Sequence, residues 1–132
     1  GVRGMNAIQP NAVEQARVAA LTMAGTRVLS RGNMALNVLA TLGLISSSFG
    51  QWPGVKGGQS VELVDERAFR YLCLQFKDDV LIGATSIGLT EGVGVLRGLI
   101  EGRVRLGPWK DRLLAEPLRF PDAYLARAQA AA

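Results

Sequence analysis

The sequence contains no histidine and a single cysteine, Cys73, and these two shortages exclude much chemistry at once. Without imidazole the usual general base near neutral pH is missing, and one thiol permits neither an intrachain disulfide nor a cysteine-cluster metal site. Charge is sparse as well: charged residues make up 20% of the chain, fifteen Lys and Arg against eleven Asp and Glu, for a formal net charge of +4. The cations are scattered, Arg97, Arg103 and Arg105 being the densest spot, and no ladder of aromatic residues accompanies them. That pattern is a mildly basic solvated face and not a nucleic-acid footprint, which should be clustered. Long hydrophobic runs are lacking too, because Gly, Ser or Asn interrupts each one well short of a membrane span, so no membrane partner and a cytoplasmic location are expected. Apolar residues are nevertheless abundant, at 48%. With so little charge beside them, some of that apolar surface is expected to serve a partner. A length of 132 residues suits one main domain with a short appendage. The first residue, Gly1, suits an excised piece and equally a cloning remnant.

Asn11 and Glu14 stand three apart after Gln9-Pro10, as in an N-cap with its reciprocal capping-box partner. A helix is expected over 12–24, with Ala12, Ala16, Ala19, Ala20 and Met23 on one stripe and Gly25 at its end. A stripe made mainly of alanine approaches another surface closely but gains little from burial alone, so it calls for a large partner surface. Short strands are expected around 34–40 and 42–49, and the Pro and Gly residues between Gln51 and Ser60 mark a loop. Val61–Asp65 is a further strand candidate, and Arg70–Phe76 with Val80–Gly88 bracket Lys77-Asp78-Asp79 as a hairpin. Thr90 is placed to cap a helix over 90–101 that stops at Gly102. Trp109–Glu116 forms a short amphipathic helix, and Pro121 opens an alanine-rich terminal one. A helix, several antiparallel strands and then helices make an α+β pattern, a small antiparallel sheet flanked by helices, and not the alternation of a doubly wound nucleotide-binding domain.

Few motifs survive a comparison with their ordinary structural meaning. Gly92-Val93-Gly94-Val95-Leu96-Arg97-Gly98 has the look of a dinucleotide-binding turn, but the third glycine is one place late and no βαβ unit surrounds it. Close helix packing explains these glycines better. Cys73 reads as a small core residue beside Tyr71 and Gln75, and Asp78 and Asp79 as solvated turn formers. The start of the first helix has two readings: an ordinary capped terminus, or a site where free N–H groups and the helix dipole favour an anionic ligand by about 1 kcal/mol.

The run Asn6-Ala7-Ile8-Gln9-Pro10-Asn11-Ala12-Val13-Glu14-Gln15-Ala16-Arg17-Val18-Ala19-Ala20-Leu21-Thr22-Met23-Ala24-Gly25 resembles the last FAD-domain helix of FAD-dependent pyridine nucleotide-disulfide oxidoreductases. A second stretch resembles the C-terminal domain of their nitrite reductase-like and rubredoxin reductase-like members. It comprises Leu42-Gly43-Leu44-Ile45-Ser46-Ser47-Ser48-Phe49-Gly50 and Tyr71-Leu72-Cys73-Leu74-Gln75-Phe76-Lys77-Asp78-Asp79-Val80-Leu81-Ile82-Gly83-Ala84. The two matches span roughly residues 6–105. The resemblance implies that Ile8, Gln9 and Pro10 lie nearest the flavin pyrimidine edge, with Asn11 capping, and it implies no catalytic or metal-binding residue. It also implies residues 1–26 as the end of an FAD-binding domain, 27–117 as an interface or dimerisation domain, and 118–132 as a helical tail. The Gly-Asp motif that binds FAD, both glycine-rich nucleotide turns and any redox-active cysteine pair would lie in missing N-terminal FAD and NAD domains. The expectation is a piece of a flavoprotein that passes electrons from NAD(P)H through FAD to an acceptor, inactive alone and holding no cofactor. Its partners would be the missing domains, a second copy in a homodimer, or an electron-transfer protein. The rival expectation is a stand-alone dimerisation or protein-binding module with no flavin.

Overall fold

Strict alternation builds the centre of the molecule. In β4 (Arg70–Lys77), Leu72, Leu74 and Phe76 are buried on one face of the sheet, while Tyr71, Cys73 and Gln75 occupy the other. A computed structural model of the chain describes residues 9–30 and 32–130. In chain order the elements are α1 (Gln9–Met23), β1 (Leu36–Thr41), β2 (Leu44–Gly50), β3 (Gln59–Asp65), β4, β5 (Val80–Ile87), α2 (Val93–Glu101), α3 (Trp109–Ala115), a 3-10 turn (Pro117–Arg119) and α4 (Phe120–Ala130). The fold is α+β: five antiparallel strands in the order β1-β2-β5-β4-β3, with helices packed on one face.

Two hairpin units meet at the β2–β5 pair. The β1–β2 hairpin closes through Leu42 and Gly43, both with positive φ, at +52° and +79°, in the sense that matches strand twist. The β4–β5 hairpin turns at Asp78-Asp79, where Asp78 has φ +53°. A bulge at Gln75/Phe76 leaves Ile82 without an opposite residue, and its carbonyl accepts a hydrogen bond from the Gln51 amide at 2.9 Å. At the end of β2, Gly50 has φ +60°, and any Cβ there would run into the Ile82 carbonyl and Ile100, so only glycine turns this corner.

The core lies between the sheet and helices α2, α3 and α4. Leu72, Leu74, Phe76, Leu81 and Ala84 meet Leu96, Leu99, Leu106, Leu113, Phe120 and Ala123, all almost fully buried. Each buried Leu or Phe contributes about 2 kcal/mol of apolar transfer. Helix α2 approaches α4 closely because Gly98 lies under the Tyr124 ring, 3.2 Å from where a Cβ would stand. The Trp109 ring carries the guanidinium groups of Arg112 and Arg119, centred 4.9 and 5.6 Å from its centroid.

Two helix starts differ from the sequence expectation. Asn11 is not an N-cap: it sits inside α1, which includes Gln9 and Pro10, because Pro fits the first turn of a helix, where its missing N–H costs nothing. Helix α2 begins at Val93 and not at Thr90; its N-cap is Gly92 in the left-handed region (φ 68°), with no side-chain cap bond. The 3-10 turn at Pro117–Arg119 is an addition for which the sequence carried no clear signal.

Candidate functional site

Helix α1 stands apart from the core. Of its fifteen residues only Asn11 is buried, and Ala12, Ala16, Ala19, Ala20 and Met23 are all exposed, Met23 at 87%. The alanine stripe is therefore present and bare. What fixes the helix start is Asn11, whose Nδ2 donates to the Met34 carbonyl at 3.3 Å, tying α1 to the segment that leads into β1. Glu14, expected to close a capping box, instead accepts two hydrogen bonds from Arg17, at 2.9 and 3.1 Å.

Between α1 and the sheet lies an open cleft of about 1750 Å³. Gln9, Pro10, Val13 and Arg17 form one wall, Val28, Leu29, Met34 and Ala35 the floor, and the Gly50-Gln51 corner with the β4–β5 turn and the end of α2 the far wall. At 100° per residue the cleft-facing residues of α1 lie about a third of a turn from the alanine stripe, so the helix offers two separate faces. A space of this size exceeds a typical small-molecule pocket.

Charges at the cleft are mostly matched. Arg97 pairs with Glu101 at 3.1 Å, and Lys77 Nζ donates to the Gly57 carbonyl at 3.2 Å. Asp79 is more than a solvated turn former: its Oδ1 accepts from the Gly107 amide at 2.8 Å and its carbonyl from the Leu106 amide at 2.9 Å, so it pins the α2–α3 connection to the β4–β5 turn. Among the described residues Arg103 and Arg105 make no ion pair and leave the rim weakly cationic.

The residues expected from the sequence fare differently. Gln9 and Pro10 are exposed at the cleft mouth; Asn11 is close by but buried and engaged; Ile8 lies outside the described residues. The Gly92–Gly98 segment does not face the cleft with its glycines. Gly92 lies against Phe120 and Pro121, and Gly98 against Tyr124, which is close packing of helix on helix. Arg97, Arg103 and Arg105, read from the sequence as the densest spot of a solvated basic face, all line the cleft. The floor residues Val28, Leu29, Met34 and Ala35 gave no signal of this role in the sequence, because it depends on where separate elements place them.

On the sheet face away from the helices, Cys73 is buried with Gln75 Nε2 at 3.3 Å from its Sγ. Burial pushes the thiol up from its ordinary value, against the lowering effect of Tyr71, and the neighbouring Tyr71 phenol is pushed up to about 12, chiefly by burial. Both groups are neutral near pH 7. This thiol is not an activated nucleophile.

No protein-family model matches the chain. Over 121 residues it is 36% identical to the NADH-dependent phenylglyoxylate dehydrogenase subunit epsilon of Aromatoleum evansii, a match covering 89% of this chain and 29% of that subunit. The chain thus spans less than a third of the length of this relative.

Proposed function

We propose that this chain is the C-terminal part of a longer flavoprotein oxidoreductase that takes electrons from NAD(P)H through FAD to an acceptor. In this reading residues 1–26 close an FAD-binding domain, 27–117 form an interface domain, and 118–132 are its helical tail. The observation that carries it is α1, a fifteen-residue helix with a bare alanine face beside a cleft of about 1750 Å³. A helix of that length gains little stability alone and normally takes it from packing. The similarity to a subunit described as NADH-dependent, three times and more the length of this chain, supports the same reading.

The described residues fit FAD in part. Gln9 and Pro10 stand at the first described turn of α1, where backbone N–H groups and the helix dipole favour negative charge by about 1 kcal/mol. That is the charge a reduced flavin carries at its pyrimidine edge. Asn11 fixes the approach of this turn through Met34 instead of capping it. In this reading the chain supplies one edge of the flavin site, with the pyrophosphate held elsewhere in the longer protein. FAD would supply the two-electron chemistry, and Gln9 and Pro10 would orient one edge of it. The interface domain would then meet a partner subunit or an electron-transfer protein.

The test is cofactor retention by the 132-residue chain itself. Mixed with excess FAD and passed through a desalting column, it is expected to emerge colourless. Stoichiometric flavin on the short chain would show that the greater part of the FAD site lies within it and would overturn this assignment.

A further inference from the structure

Helix α2 ends with an arginine where glycine is usual. The Arg103 amide donates to the Ile100 carbonyl and the Val104 amide to the Leu99 carbonyl, both at 3.1 Å, the paired bonds that close a helix when the next residue turns left-handed. That residue is Arg103, at φ 46°. A side chain strains the backbone there, and glycine does not. The neighbouring Gly102 answers a different need: its φ of −76° is open to any residue, but a Cβ on it would stand 2.9 Å from the Gly98 carbonyl oxygen. The exposed side chain of Arg103 lines the cleft beside α1. A cation near the carboxyl end of a helix is ordinary, but one turn earlier it would serve the helix without left-handed backbone.

Arg105 lines the same cleft, its backbone fixed by a bridge to Val80, while Val104 between the two arginines packs on the core. The other charges of the cleft are engaged or distant. Glu14 accepts from Arg17, Glu101 pairs with Arg97, and Asp79 accepts from the Gly107 amide. Asp78 lines the cleft without an ion pair to either arginine among the described residues. Two guanidinium groups are therefore left over at the rim. An apolar surface laid across them would strand both charges, whereas carboxylates would satisfy their planar forks.

We propose that Arg103, with Arg105 beside it, is a clamp that holds a carboxylate-bearing surface of the preceding part of the longer protein. This rests on the reading above, in which that part joins α1 at the mouth of the same cleft, where Gln9 and Pro10 stand. The matched stretch is only 29% of the relative's length, so a partner surface within one chain is available. Covalent linkage also raises the effective concentration of that surface, so a small charged contact suffices where a separate protein would need a wide one. The strain at Arg103 is then offset by a contact that glycine cannot make.

Modification by an arginine-directed dicarbonyl, read by mass spectrometry, compares the 132-residue chain with the protein expressed from the full reading frame. Arg103 and Arg105 should react about tenfold more slowly in the long protein, while Arg67, exposed on the β3–β4 turn, reacts alike in both. Arg103→Gly separates the clamp from a helix cap. In the short chain it should raise the thermal midpoint by about 3 °C, because glycine suits the left-handed position. In the long protein it should speed amide exchange of α1 by about tenfold, because the seam loosens. Equal reactivity of Arg103 in both proteins, or an Arg103→Gly variant whose α1 exchanges no faster in the long protein, would overturn the proposal. Protection that disappears when bound nucleotide is removed would overturn it too, since the occupant would be a cofactor phosphate. The flavin spectrum of the same long protein is read separately, so a colourless protein with protected arginines counts against the flavin reading and not against the clamp.

Discussion

Cys73 and Tyr71 stand two residues apart on the helix-free face of β4, and each keeps its proton above its ordinary range. For Tyr71 the sign is clear: the phenol moves from 10.0 to about 12, so the folded state holds the proton longer than the unfolded chain does. The stability involved is complete below pH 10.0 and is lost as pH rises towards about 12. Urea midpoints across that window should fall in the parent and fall less in Tyr71→Phe; equal declines would contradict the assignment. Leu42 poses a different residue-level question, being 97% exposed and left-handed at the first position of a turn that favours Asn. Leu42→Asn should stabilise the hairpin by about 1 kcal/mol, read from a thermal or denaturant midpoint. At this scale the sequence was partly legible. Cys73 as a buried and unreactive residue could be read from its alternating neighbours. The role of Asn11 could not, because an Asn three residues before a Glu signals a cap equally well whether or not a carbonyl such as that of Met34 is within reach.

Among the elements, α1 and the β1–β2 hairpin are the least covered. The Asn11 bond to the Met34 carbonyl tethers α1 to the segment that leads into β1, and little of the rest of the helix is buried. Amide exchange in α1 is therefore expected to be fast compared with β4 and β5, and Asn11→Ala should speed it further, by the equivalent of about 1 kcal/mol. Protection of α1 equal to that of the central strands would show that its alanine face is already packed. The β4–β5 hairpin was readable from the sequence because Lys77-Asp78-Asp79 separates two β-rich runs, whereas β1 and β2 were legible only as two short strands. The start of α2 was not, since a Thr before an apolar run looks like a cap until Gly92 is seen to turn left-handed against Phe120. Strand order escaped the sequence entirely: pairing of β2 with β5 joins residues far apart, and no local pattern announces it.

For the molecule as a whole, a well-packed sheet and helix core carries a poorly packed helix across an open cleft, and those two halves have different needs. The core buries its own apolar face, whereas the α1 face and the cleft stay open among the described residues. The apolar excess in the composition suggested a partner surface, and the cleft proposed for it takes shape only where the fold brings Arg97, Arg103, Val28 and Gln9 together. The central claim is that the missing surface belongs to a flavin-binding part of the same protein. Its most direct test is the visible absorption spectrum of the protein expressed from the full reading frame around this sequence, recorded before and after anaerobic NADH. The account predicts stoichiometric FAD absorbance that NADH bleaches, whereas a colourless protein, folded and carrying α1 packed against something other than a flavin domain, would contradict it.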